Sequence, residues 1–288
     1  MSTGSRAGVL LSRFTVTPVS DGVFTGTCHP AWPGKAFGGQ IAAQLLQSAA
    51  ATADAALHPW SIHTIFHSPI ASGEPIDYRV VDLKSGRTVA SRQVLAEQGG
   101  SLRASAVVVL GSPASGPVHQ ITRPEAVGPE DAQRVERLLT AAILPPDVDY
   151  VALGYPVEAM FELRVAQTPE HVAQADSFGT RTWMRTLESL PDDPLTVATA
   201  LCYLSDVTLG TAAIEPHGGR ESNPDLQFGA VELALWFTGR ARLDEWTLFS
   251  QDSSFAGSGH ALAHGGFFNS DGELCAVALQ HALMRQRS

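Results

Sequence analysis

Two polar residues interrupt long apolar stretches in this chain. Asp206 closes PLTVATALCYLSD (Pro194–Asp206), and Gln280 sits inside VALQHAL (Val277–Leu283). A carboxylate at the end of an apolar helix opposes the helix dipole, and burying it without a partner costs more. An aspartate that bears both costs suits a general base taking a proton from water. A solvent-exposed aspartate in a helix-end turn would bear neither. An amide in an apolar strand can hold a water through its carbonyl and donate through its NH2 group. Its alternative use is pairing within the sheet.

Other residues invite chemistry less directly. His63 and His67 in IHTIFHSP, and His260 and His264 in HALAH, are spaced four apart and share a strand face. The first pair has no third ligand nearby, so no metal site is expected, and the second reads first as an ordinary polar strand face. Gly38 and Gly39 open a run of helix formers. Backbone N–H groups at a helix N-terminus can receive a developing oxyanion, although two glycines also serve a tight turn or close packing. No G-x-S-x-G marks a nucleophilic serine. Cys28, Cys202 and Cys275 lack C-x-x-C spacing, which argues against a zinc site or a disulfide framework. Cys202 lies on an apolar helix and reads as a core residue.

The elements that position these residues follow from composition and punctuation. The 288 residues are 44% hydrophobic and 17% charged, enough to bury a core. The formal net charge of −10, without a Lys/Arg block, disfavours nucleic acid and anionic membranes as partners. The N-terminus shows no signal-peptide pattern, and apolar runs such as Ala104–Leu110 fall short of the ~20 residues of a membrane span. A soluble cytoplasmic protein is the expectation.

The Pro- and Gly-rich stretch GSPASGPVHQITRPEAVGPE (111–130) disfavours helix and strand interiors. It predicts a linker over 113–149, with a short helix at Asp131–Ala142, between an N-terminal unit (1–112) and a C-terminal unit (150–288). Each unit carries an apolar helix, Gly39–Thr52 or Pro194–Thr208, followed by β-rich segments. Trp60–Pro69, Ile76–Leu83, Thr88–Glu97 and Leu102–Leu110 match Gly229–Thr238, Trp246–Asp252, His260–Asn269 and Leu274–Met284 in length and order. The pattern predicts an α+β double hotdog: two tandem repeats, each a long antiparallel sheet wrapped around a central helix. An exposed strand edge on each repeat predicts that the halves join into one sheet.

The ordered set of motifs resembles the acyl-CoA thioesterase II family. The set comprises AFGGQIAAQLL (Ala36–Leu46), IHTIFHSPIASGEPIDYRV (Ile62–Val80), LKSGRTVASRQV (Leu83–Val94), RTWMR (Arg181–Arg185) with PDDP (Pro191–Pro194), LSD (Leu204–Asp206), LWF (Leu235–Phe237) and DGELCAVALQHALMR (Asp271–Arg285). The resemblance implies hydrolysis of acyl-CoA to free fatty acid and CoA by an activated water. It implies no cofactor, no metal and an assembly of at least two chains. Asp206 then matches the family's catalytic aspartate and Gln280 its glutamine. The family's Thr/Ser position falls on Ala230, a departure. Glu232, two residues on, would share its face in a regular strand and is the candidate substitute. For the substrate, the resemblance points to Gly38, Gly39, His63, Arg92 in the returning strand, and His260. The alternative, favoured by Ala230, is a non-catalytic acyl-CoA or acyl-chain binding protein. A hydratase would want a His–Asp or His–Glu pair about the first helix, which holds neither.

Overall fold

A computed structural model describes residues 5–32, 34–134, 160–166, 178–219, 222–223 and 225–286. The first half comprises α1 (Arg6–Phe14), β1 (Thr17–Ser20), β2 (Val23–Thr27), β3 (Pro30–Trp32), β4 (Lys35–Ala36), α2 (Gly38–Ala50), β5 (His58–Phe66), β6 (Pro75–Ser85), β7 (Val89–Gln98) and β8 (Ser101–Gly111). The short β9 (Gln133–Arg134) follows. The second half comprises β10 (Phe161–Val165), β11 (Phe178–Thr186), α3 (Pro194–Ile214), β12 (Leu226–Phe237), β13 (Thr247–Gly257), β14 (His260–Phe268) and β15 (Leu274–Gln286).

Thirteen of these strands form one antiparallel sheet, in the order β1-β2-β6-β7-β8-β5-β12-β15-β14-β13-β11-β10-β9. The seam between halves is the β5–β12 pair, with Leu233 opposite Thr64 and Leu235 opposite Ile62. Outward from the seam, β5-β8-β7-β6 is mirrored by β12-β15-β14-β13. Each helix packs on its own half: α2 against β2 and β5–β8, α3 against β11–β15. The helices also pack on each other, and α3 reaches across to β5.

Local sequence explains the helices. In α2, Ala, Leu, Ile and Gln favour helix, and no charged residue interrupts it. Asp193 caps α3 by accepting from the Thr196 N–H at 2.9 Å, and Pro194 fits the first turn. Sequence places the end of α3 at Thr208, but TLGTAAI continues it to Ile214. Asp206 is therefore mid-helix. This helix is apolar and long enough to cross a membrane, yet most of it is enclosed by the sheet and α2.

Part of the 111–130 stretch lies across the outer face of the second half. Gln120 donates to the Gly272 carbonyl at 2.9 Å, and the Trp183 indole N–H donates to the Val127 carbonyl at 2.7 Å. Ala132, Ala166, Trp183, Leu248 and Phe268 form a small core beneath it. Of the helix expected over Asp131–Ala142, Gln133–Arg134 instead pair with β10 as a strand. Residues 135–142 lie outside the described residues.

Arg92 is a correction to the sequence reading. It belongs to no substrate surface: its side chain is 3% exposed, and its donors are spent on the fold. They reach Asp82 Oδ1 at 2.9 Å, the Lys84 and Ser91 carbonyls, Ser85 Oγ, and both Oγ1 and the carbonyl of Thr52. A cation just beyond the C-terminus of α2 also suits the helix dipole. Arg92 ties the end of α2 to the β6–β7 hairpin. Arg92→Met should lower the unfolding free energy by about 3 kcal/mol, because it strands several buried acceptors. Urea denaturation checks this, and an unchanged midpoint would show that the tie is dispensable.

Candidate active site

The site forms where α3 crosses the start of α2. The N-cap of α2 is Phe37, which has no side-chain acceptor to offer. Asp206 supplies one from the other half: its Oδ2 accepts the Gly39 N–H at 2.7 Å. Its Oδ1 accepts from Gln280 Nε2 at 2.6 Å. Both residues singled out by their apolar surroundings are thus in contact, although 74 positions apart.

Burial is the largest influence on Asp206 and raises its pKa. The two hydrogen bonds favour the carboxylate and hold the rise to about 6. Taken over the whole residue, Asp206 keeps partial exposure. Gln280 is buried, and its Oε1 has no hydrogen-bond partner among the described residues. The amide therefore presents an unused acceptor beside the carboxylate.

The two glycines are small because the helices meet there. A Cβ on Gly39 would lie 2.8 Å from the Tyr203 carbonyl oxygen and 2.9 Å from Asp206 Cβ. A Cβ on Gly38 would lie 2.8 Å from Asp206 Oδ2 and 3.3 Å from Phe66 Cζ. The Gly39 N–H is engaged by Asp206, so the expected pair of free donors reduces to one. The Gly38 N–H makes no hydrogen bond among the described residues. On α3, Gly210 lets Phe228 and Gln280 approach: a Cβ there would meet Phe228 Cε1 at 2.6 Å and Gln280 Oε1 at 3.1 Å.

The strand candidates separate by face. Residues directly opposite in an antiparallel ladder share a face, and neighbours along a strand alternate. Leu233 is opposite Gln280, Glu232 opposite His281, and Ala230 opposite Ala282. Gln280, Ala282 and Ala230 therefore face the helices, while Glu232 and His281 face outward. A bulge between Ala230 and Glu232 produces this inversion. Glu232 cannot stand in for a hydroxyl at Ala230, contrary to the regular-strand expectation.

His63 also lies outward, with its Nε2 3.8 Å from Glu232 Oε2. His260 Nδ1 lies 3.2 Å from His281 Nε2 on the same outer face. Neither histidine meets Asp206. His67 bonds the Ser105 hydroxyl at 2.9 Å. Among the described residues, no group of three or more His, Cys, Asp or Glu could hold a metal. All three cysteines are buried with raised pKa values, Cys28 to about 12 and Cys275 to about 11, by desolvation first, so they stay protonated.

Tyr203 was not singled out from sequence. It lies one helical turn before Asp206, fully buried, and its hydroxyl is 3.0 Å from His29 Nε2. Its ring packs on Phe37 at 4.9 Å and on Phe14 at 5.7 Å. The i, i+3 spacing on α3 was the available signal.

Similarity to known proteins runs the length of the chain. Residues 28–111 match the family profile described as "Acyl-CoA thioesterase N-terminal domain", and residues 156–283 match the one described as "Acyl-CoA thioesterase". A Haemophilus influenzae protein named acyl-CoA thioesterase 2 is 28% identical over 284 residues, 96% of each chain. The solved tesB protein of Mycobacterium avium subspecies paratuberculosis is 30% identical with a TM-score of 0.80, covering 98% of this chain and 100% of that one. A hot dog protein from Alicyclobacillus acidocaldarius, 18% identical over 97% of this chain and 99% of that one, has a TM-score of 0.75 and shares the fold.

The raised pKa of Asp206 has a stability signature. An aspartate that titrates near 3.9 when unfolded and near 6 when folded binds its proton more tightly in the native state. Stability is then lost as pH rises from about 4 to about 6, by up to roughly 3 kcal/mol. Asp206→Asn removes the charge while keeping the shape. It should raise the melting temperature at pH 8 and leave it nearly unchanged at pH 4. A variant less stable than the parent at pH 8 would contradict the desolvation assignment.

Proposed function

The chain belongs to the acyl-CoA thioesterase II family, and on that premise we propose a mechanism for its hydrolysis of acyl-CoA thioesters. Asp206 is the general base. A water between the carboxylate and the Gln280 amide gives one proton to Asp206 and hydrogen-bonds through the other to Gln280 Oε1. Its oxygen attacks the thioester carbonyl carbon. The carbonyl oxygen takes up negative charge near the Gly38 N–H, at the positive end of α2. Collapse breaks the carbon–sulfur bond, and the departing CoA sulfur receives the proton held by Asp206. Free fatty acid and CoA leave, and the carboxylate is restored.

One observation carries this reading. Asp206 is fixed between two donors, with a pKa of about 6. Such a base is mostly ionised at neutral pH, and its conjugate acid is strong enough to return the proton. The protein's part is positioning, so Gln280 contributes geometry and no proton chemistry. Ala230 faces the site but offers no hydroxyl.

Free-thiol release from a series of acyl-CoAs of increasing chain length is the direct assay. The parent should release thiol without added metal. Asp206→Asn should lose at least about 1000-fold in kcat, and Gln280→Ala about 10–100-fold. Ala230→Thr should match or exceed the parent rate. Near-native turnover in Asp206→Asn would overturn the assignment of the base. Binding of acyl-CoA without thiol release would favour the non-catalytic alternative.

A further inference from the structure

Thr64 on β5 has a fully buried side chain, at 0% exposure, and its Oγ1 has no hydrogen-bond partner among the described residues. A buried orphan hydroxyl costs stability, a cost that a ligand bringing a partner would offset; Thr186 and Thr247 carry orphan hydroxyls too, and Thr64 is set apart by its place in the sheet. Its place on the sheet identifies where that ligand lies. Thr64 is opposite Leu233, and Leu233 is opposite Gln280. The three side chains form one row on the helix-facing surface, across the seam between halves. The other end of the row is also an orphan, Gln280 Oε1. Two strand spacings of roughly 4.8 Å put the Thr64 and Gln280 backbones about 10 Å apart. The Leu233 side chain lies between them, and both polar side chains stand towards the helices.

The neighbouring residue ties the row to the site. Phe66 is two residues beyond Thr64 on the same face. Its ring lies 3.3 Å from the point a Gly38 Cβ would occupy, next to Asp206 Oδ2. In the thioesterase reading, on which this inference rests, both protons of the attacking water are already placed, at Asp206 and Gln280. What remains unmet is a second donor for the carbonyl oxygen as it gains charge. A threonine hydroxyl is such a donor, and Thr64 is a buried, uncommitted one facing this side of the sheet.

We propose that the Thr64 hydroxyl donates a hydrogen bond to the carbonyl oxygen of the bound thioester, supplying from the first half the hydroxyl that Ala230 lacks in the second. The bond strengthens as the oxygen becomes an oxyanion, so its loss falls on kcat more than on KM. Thr64 is then a catalytic residue contributed by the opposite repeat from Asp206 and Gln280.

The test is steady-state thiol release by the parent, Thr64→Val and Thr64→Ser, alongside thermal melts. Valine keeps the shape without the hydroxyl, and serine keeps the hydroxyl. Thr64→Val should lose about 10–100-fold in kcat, with KM within about threefold. Thr64→Ser should stay within about fivefold of the parent. The melting temperature of Thr64→Val should equal or exceed the parent's, because an orphan hydroxyl has been removed. A parental kcat in Thr64→Val overturns the role, as does an equal loss in both variants or a loss that tracks a lowered melting temperature. A parent that releases no thiol from any acyl-CoA rejects the thioesterase reading itself, an outcome distinct from turnover that is indifferent to Thr64.

Discussion

The rest of the structure depends on a helix that cannot cap itself. The first turn of α2 begins at Phe37–Gly38–Gly39 and carries N–H groups with no side chain of its own to receive them. A carboxylate from the middle of α3 fills that need. The arrangement forces the helices into contact, requires glycine at Gly39 and holds a buried charge in place. Helix α1 has its own cap, Ser5 accepting the Gly8 N–H at 3.0 Å, and its Ala7 N–H also donates to Glu188 Oε2 at 3.0 Å. Helix α3 is capped by the residue just before it, Asp193. Two of the three described helix starts thus draw their carboxylate from the other half, so the halves fold as partners.

That constraint also sets the chemistry. Buried carboxylates resist ionisation, and helix N-termini favour it. Asp206 experiences both, together with a donor from Gln280, and is left near the middle of the range where it can take and return a proton. The amide that helps hold it does so with its NH2 group, which leaves its buried carbonyl oxygen unengaged among the described residues. Gly210 contributes indirectly, since any larger residue would collide with Phe228 and crowd that oxygen.

Much of this was legible in the sequence, for physical reasons. Apolar runs with strong helix formers mark α2 and α3, and turn signals mark the strands that follow, so the repeat stands out. Asp206 and Gln280 were conspicuous because polar groups in apolar elements need a purpose. Their contact partners were not legible: Gly39 and Asp206 are 167 positions apart, and only the joined sheet brings them together. Nothing in FGAVELALWF announces the bulge after Ala230, and one extra residue moved Glu232 to the outer face with His63 and His281. Arg92 was expected at the substrate from the family resemblance alone, whereas here it closes a buried network. Thr64 was silent because a threonine in a β-rich segment is ordinary; its unpaired hydroxyl is visible only in three dimensions.

The most direct test is the titration of the Asp206 carboxyl itself. Carboxyl carbon NMR of uniformly labelled protein, with Asp206→Asn used to assign the resonance by difference, reads it without substrate. The account predicts an apparent pKa of about 6, falling towards a typical aspartate value near 3.9 only when the protein unfolds. A folded-state value at or below 4 would mean that the donors from Gly39 and Gln280 outweigh burial, and that Asp206 is too weak a base for the part assigned to it.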